Sequence, residues 1–129
     1  MAWWDIVSNF VNLGDTLMTP GRGLEGSHSR QFEIISKNKD EIILKSGRSP
    51  IQLTRDCFDV VEEFFKNNPV GTLRVASAHG PAYDRSADKL IREKTRIELA
   101  RGNYVSSMLE KCGLVKYSMV GGKKVIGLS

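Results

Sequence analysis

The 129-residue sequence predicts an α+β fold, with a short N-terminal helix and a small β-meander ahead of three helices and a terminal β-hairpin. Three observations carry that expectation. Apolar residues recur at helical spacing in four separated stretches. Short runs rich in β-branched and aromatic residues lie between residues 31 and 53, divided by polar turn sequences. A Gly-Gly pair separates two strand-like runs at the end of the chain.

Residues 3–13 place Trp4, Val7, Phe10 and Val11 at i, i+3, i+6 and i+7, an amphipathic helix that Gly14 should end. Residues 19–30 hold three glycines and a proline and read as a loop. Three strands are expected at Gln31–Ser36, Glu41–Lys45 and Ile51–Leu53, with Phe32 and Ile34 facing Ile42 and Leu44. Thr54 is placed to N-cap a helix through Asn67 that buries Cys57, Phe58, Val61, Phe64 and Phe65; Asn68-Pro69 stops it. A weak strand signal spans 71–76, and a loop covers 79–84. Ala87, Leu90, Ile91 and Ile97 support a helix from about Ser86 to about Ala100, with Lys89, Arg92, Lys94 and Arg96 on its other face. Val105, Met108, Leu109 and Cys112 give the cleanest helical stripe, with Gly113 as its C′ residue. Residues 114–128 then form the hairpin, and Gly121-Gly122 supplies the positive φ angles of a two-residue primed turn.

Hydrophobic residues make up 40% and charged residues 26%, a globular composition that excludes a disordered tail or a fibre. No apolar run approaches the roughly 20 residues of a membrane span, so no membrane role is expected. Met1-Ala2-Trp3-Trp4-Asp5 lacks the basic and apolar regions of a signal peptide. Cys57 and Cys112 lie far apart in apolar helical patterns. They are expected as buried free thiols of a cytoplasmic protein, a single disulfide being the alternative. Charge is divided unevenly: residues 1–67 carry eight Lys/Arg and ten Asp/Glu, and residues 68–129 carry eleven and five. A basic half suits a polyanion, because clustered Lys and Arg displace counterions from phosphates; a solvated basic helix face is the alternative.

The run Val105-Ser106-Ser107-Met108-Leu109-Glu110-Lys111-Cys112-Gly113-Leu114-Val115, with the Gly-Gly hairpin after it, resembles the recognition helix and wing of winged helix-turn-helix domains. The resemblance covers at most residues 54–129, with helices 54–67 and 86–100 as the first and second; the 86–100 helix and the 68–85 connection are longer than is usual there. It divides the chain into an N-terminal helix plus β-meander (1–53) and a winged-helix part (54–129).

The resemblance implies double-stranded DNA as partner, with the third helix in the major groove. Asn103, Tyr104, Ser106, Ser107 and Lys111 would then lie on the reading face, beside Glu110, which would repel phosphate. Lys116, Lys123 and Lys124 would sit on the wing, and Arg92, Lys94, Arg96 and Arg101 would clamp the backbone. Ser106 and Ser107 are also ordinary exposed helix residues, and Lys123-Lys124 also serve to keep an edge hairpin soluble.

No enzyme is expected, and no cofactor or metal. His28 and His79 stand apart from each other and from both cysteines, without zinc-site spacing. The glycines of 21–26 do not match a dinucleotide-binding loop. Asp40, Glu41 and Lys45 lack the spacing of a metal-dependent nuclease. His79, Tyr83 and Asp84 are the one loop cluster with acid–base side chains. The N-terminal half is expected to pack on the winged part. A docking surface on Trp3 and Trp4 for a homodimer mate or another protein is its second option. The alternative function is a protein- or RNA-interaction module of winged-helix shape.

Overall fold

The computed structural model describes residues 1–76 and 80–129, a mixed α+β arrangement with antiparallel sheets. Helix α1 (Trp3–Phe10) leads into strands β1 (Thr16–Met18), β2 (Gln31–Lys37), β3 (Glu41–Ser46) and β4 (Ser49–Thr54). These four pair in chain order as one sheet. There follow α2 (Arg55–Asn67), β5 (Leu73–Arg74), α3 (Ala87–Thr95), α4 (Gly102–Lys111) and the hairpin β6 (Val115–Val120) and β7 (Lys123–Leu128). The second sheet has the order β5-β7-β6. Among the described residues no helix is long and apolar enough to cross a membrane.

Alternation builds the meander. Phe32, Ile34, Ile42, Leu44 and Leu53 are all buried, and the register sets Ile34 opposite Leu44 and Ile42 opposite Leu53. Pro50 lies in β4, an edge strand where a missing N–H costs no ladder bond. Strand β1, unforeseen in the sequence, sets Leu17 against Phe32. The inner face of the meander shares one buried cluster with α1, α2, α3, α4 and the second sheet.

Helix α1 stops at Phe10, three residues earlier than its pattern suggests. The Lys37 ammonium, 2.8 Å from the carbonyl oxygens of both Ser8 and Val11, donates to that end, and Phe10 is left exposed. Trp4 is buried on Phe58, with ring centroids 5.4 Å apart, and its indole N–H donates to the Lys39 carbonyl. Trp3 is half-buried, 6.0 Å from Phe65. Of the two tryptophans considered as a docking surface, Trp4 is therefore inside, on α2, and Trp3 packs on α2 while remaining half-buried. Helix α2 buries Cys57, Phe58, Val61 and Phe65, while Phe64 is half-buried. Thr54 occupies the N-cap position without a capping side-chain bond.

Helix α3 ends at Thr95, well short of Ala100. Arg96 turns the chain with φ +57°, and Ile97 is exposed. The cause is long-range. Buried Asp88 pairs with Arg92 at 2.8 Å, and its other oxygen accepts from the Arg101 backbone N–H at 3.1 Å. The Arg101 guanidinium donates to the Thr95 hydroxyl and to the Gln52 carbonyl. Gly102 then lets α4 start directly on α3, because a Cβ there would stand 2.7 Å from the Asp88 nitrogen. Arg92 and Arg101, expected to clamp a DNA backbone, are thus buried in the α3–α4 junction. They serve the fold, because an unpaired Asp88 carboxylate at that depth would be costly.

Candidate nucleic-acid interface

The face of α4 that should meet DNA is largely covered. Val105, Met108 and Leu109 are buried as expected, but so are Ser106 and Ser107. The Ser107 hydroxyl donates to the Met18 carbonyl at 2.5 Å, so β1 lies against this side of the helix. Ser106 and Ser107 are corrected from reading-face residues to internal ones. Asn103 and Tyr104 remain half-buried at the helix start, and Lys111 is exposed beside Glu110 at its end. Tyr104 is held edge-on to Phe32 at 5.2 Å and 82°.

The hairpin turn forms as expected, with φ of +57° at Gly121 and +75° at Gly122. Lys116 and Lys123 on its strands are exposed, but Lys124 is buried. Its ammonium donates to the Pro20 carbonyl at 2.6 Å and lies 4.6 Å from the centre of the Tyr117 ring. Burial pulls the Lys124 pKa below its ordinary value, against the opposing pull of Glu25 and Glu110. Burial, with Glu110 adding to it, raises the Tyr117 phenol. Lys124 is therefore corrected from a phosphate contact to a tie between the 19–30 loop and the hairpin. Lys94 and Arg96 are exposed near the end of α3.

Where that tie is made, a cleft of about 560 Å³ opens. Arg22, His28 and Arg30 line it from the 19–30 loop, Asn103 and Tyr104 from the start of α4, and Lys123 and Lys124 from the hairpin. Arg74 and Tyr83 complete it, with the guanidinium carbon 3.8 Å above the Tyr83 ring centre. Among the described residues no carboxylate lines the cleft. Among the described residues Arg22, Arg30 and Lys123 make no ion pair; the pairs there are Arg55–Asp59, Lys89–Asp84, Arg92–Asp88 and Arg92–Glu98.

Family models, curated proteins and solved structures yield no match to this chain.

Of the twelve expected contact residues, the cleft gathers Asn103, Tyr104, Lys123 and Lys124, while Lys94, Arg96, Lys111 and Lys116 are exposed outside it. Sequence reasoning missed Arg22, Arg30 and Arg74, and took Tyr83 only as a member of an acid–base loop cluster. Two arginines in a glycine-rich loop were the available signal for the first two; nothing local marks Arg74. Of the acid–base cluster, His79 lies outside the described residues. Asp84 is exposed and paired with Lys89 at 3.0 Å, which holds its carboxyl below the usual range. Cys57 and Cys112 are free thiols, Cys57 buried and Cys112 half-buried, and burial pushes the Cys112 thiol up to about 11. Among the described residues no three His, Cys, Asp or Glu side chains gather as metal ligands.

Proposed function

We propose that this chain is a non-enzymatic DNA-binding module in which residues 54–129 form a winged helix and the basic cleft contacts the nucleic acid. Helix, short strand, two helices and hairpin follow one another from α2 to β7, with β5 paired on the returning hairpin strand, and this order supports the winged-helix part. The observation that carries the function is the cleft: Arg22, Arg30, Arg74 and Lys123 converge on one concavity that, among the described residues, no carboxylate lines. Such a surface concentrates a phosphate backbone, and the phosphate contacts set register and orientation. The departure from the usual winged-helix mode is that α4 meets the ligand with its first turn, Asn103 and Tyr104, because β1 covers its middle.

The test is fluorescence anisotropy with a pool of labelled mixed-sequence DNA at low salt, comparing the native chain with the double variant Arg30→Ala, Lys123→Ala. Both side chains are exposed and make no internal hydrogen bond or ion pair among the described residues, so the fold should survive. The double variant should bind at least about tenfold more weakly, through two lost charge-assisted contacts. Equal affinity of the two proteins, or no binding by the native chain, refutes the proposal.

A further inference from the structure

Resting on the DNA-binding proposal, we infer that the cleft takes an unpaired nucleotide presented by a DNA strand, its base stacked beside Tyr83 and Arg74 and its phosphate held by the loop and hairpin cations. Three features of the cleft lead to this. The first is the shape of the surface around α4. An intact duplex is read by a helix lying in the major groove, and here the middle of α4 is closed off by β1 through the Ser107–Met18 bond. What stays open is a concavity of about 560 Å³, within the size range of small-ligand sites.

The second is planar chemistry. Arg74 lies over the Tyr83 ring at 3.8 Å, and Tyr104 is fixed edge-on to Phe32. Bases taken out of the stack are held on aromatic rings and on guanidinium planes. Phosphate contact alone requires neither. The third is a donor–acceptor group beside those planes. The Asn103 amide has no hydrogen-bond partner among the described residues and lines the same cleft, and an amide pairs in bidentate fashion with an adenine edge. The exposed Arg22, Arg30 and Lys123 supply the phosphate sites around them.

The experiment compares, by anisotropy with the full chain, a perfect DNA duplex, the same duplex carrying one unpaired nucleotide, and the labelled single strand. A nucleoside 5′-monophosphate serves as competitor. The unpaired nucleotide should improve affinity over the perfect duplex about tenfold or more, as expected for one stacked base without a pairing cost. Tyr83→Ala should erase that advantage, so that the variant binds the two duplexes equally, whereas Tyr83→Phe should keep it. Equal binding of the two duplexes, with a normal salt response, overturns this inference and leaves the DNA-binding proposal standing. No binding of any DNA overturns both. Displacement by the free mononucleotide at concentrations comparable to the oligonucleotide would assign the cleft to a free nucleotide and overturn the strand-borne form.

Discussion

Replacing Gly102 with alanine should loosen the junction that aims Asn103 and Tyr104 into the cleft. A Cβ added at this position would stand 2.7 Å from the Asp88 nitrogen, 2.9 Å from its Cβ and 3.0 Å from its Cα. Two of those atoms are backbone, so the clash has no flexible side-chain end to yield. Either α3 and α4 move apart or the Asp88, Arg92 and Arg101 network stretches. Overpacking of this kind costs about 1–3 kcal/mol. The helix propensity of alanine returns part of it, less at a first helical position than the ~1 kcal/mol of a helix interior. A net loss of about 1–2 kcal/mol corresponds, for a domain of this size, to a fall of about 4–8 °C in Tm. Thermal unfolding followed by circular dichroism measures it directly. A Gly102→Ala protein that melts at or above the native temperature would mean that the helices have slack here, and that the network does not fix the start of α4.

Other consequences concern residues whose roles burial has changed. Ser107→Ala should leave the Met18 carbonyl without its partner and cost about 1–3 kcal/mol in urea unfolding, with DNA affinity unchanged; a selective loss of affinity would return Ser107 to the contact surface. Cys112, pushed up to about 11 from 9.0, should carry roughly a hundredfold less thiolate at pH 8 than an unperturbed thiol. Its alkylation by iodoacetamide should be slower in the folded chain than in urea by about that factor. The folded state holds this proton more tightly, so the associated stability is fully present below pH 9 and is lost as pH rises towards 11; equal alkylation rates in both states would contradict the burial that causes the shift.

The sequence carries the elements whose apolar pattern is strong. Helices α2 and α4, the three longer meander strands and the Gly-Gly hairpin stand close to where periodicity and turn chemistry put them. What escaped was decided at a distance. Strand β1 has three residues and exists because Leu17 finds Phe32 across a long loop. Helix α3 ends where Arg101 must reach back to Asp88 and Thr95, while Ile97 had suggested that the helix continues. The candidate site was the less readable part, because polarity is a poor guide to exposure. One hydroxyl-to-carbonyl bond lets Ser107 go inside, and one ammonium-to-carbonyl bond does the same for Lys124. Arg92 and Arg101 sit inside because Asp88 and nearby oxygens meet them there. Arg22 and Arg30 line the cleft from a loop whose neck, at Pro20, Lys124 ties to the hairpin, a long-range contact no local pattern shows.

The most direct test of the cleft as a phosphate-binding surface is the salt dependence of DNA affinity, measured for the native chain and for the triple variant Arg22→Ala, Arg30→Ala, Lys123→Ala. Each phosphate neutralised adds about 0.7 to the slope of log K against log salt for a single strand and about 0.9 for a duplex. The native protein should therefore lose affinity steeply as salt rises, and the triple variant should show a slope shallower by about 2 on a single strand and by about 3 on a duplex. An unchanged slope in the variant, or a native affinity indifferent to salt, would place the contacts elsewhere and contradict the account.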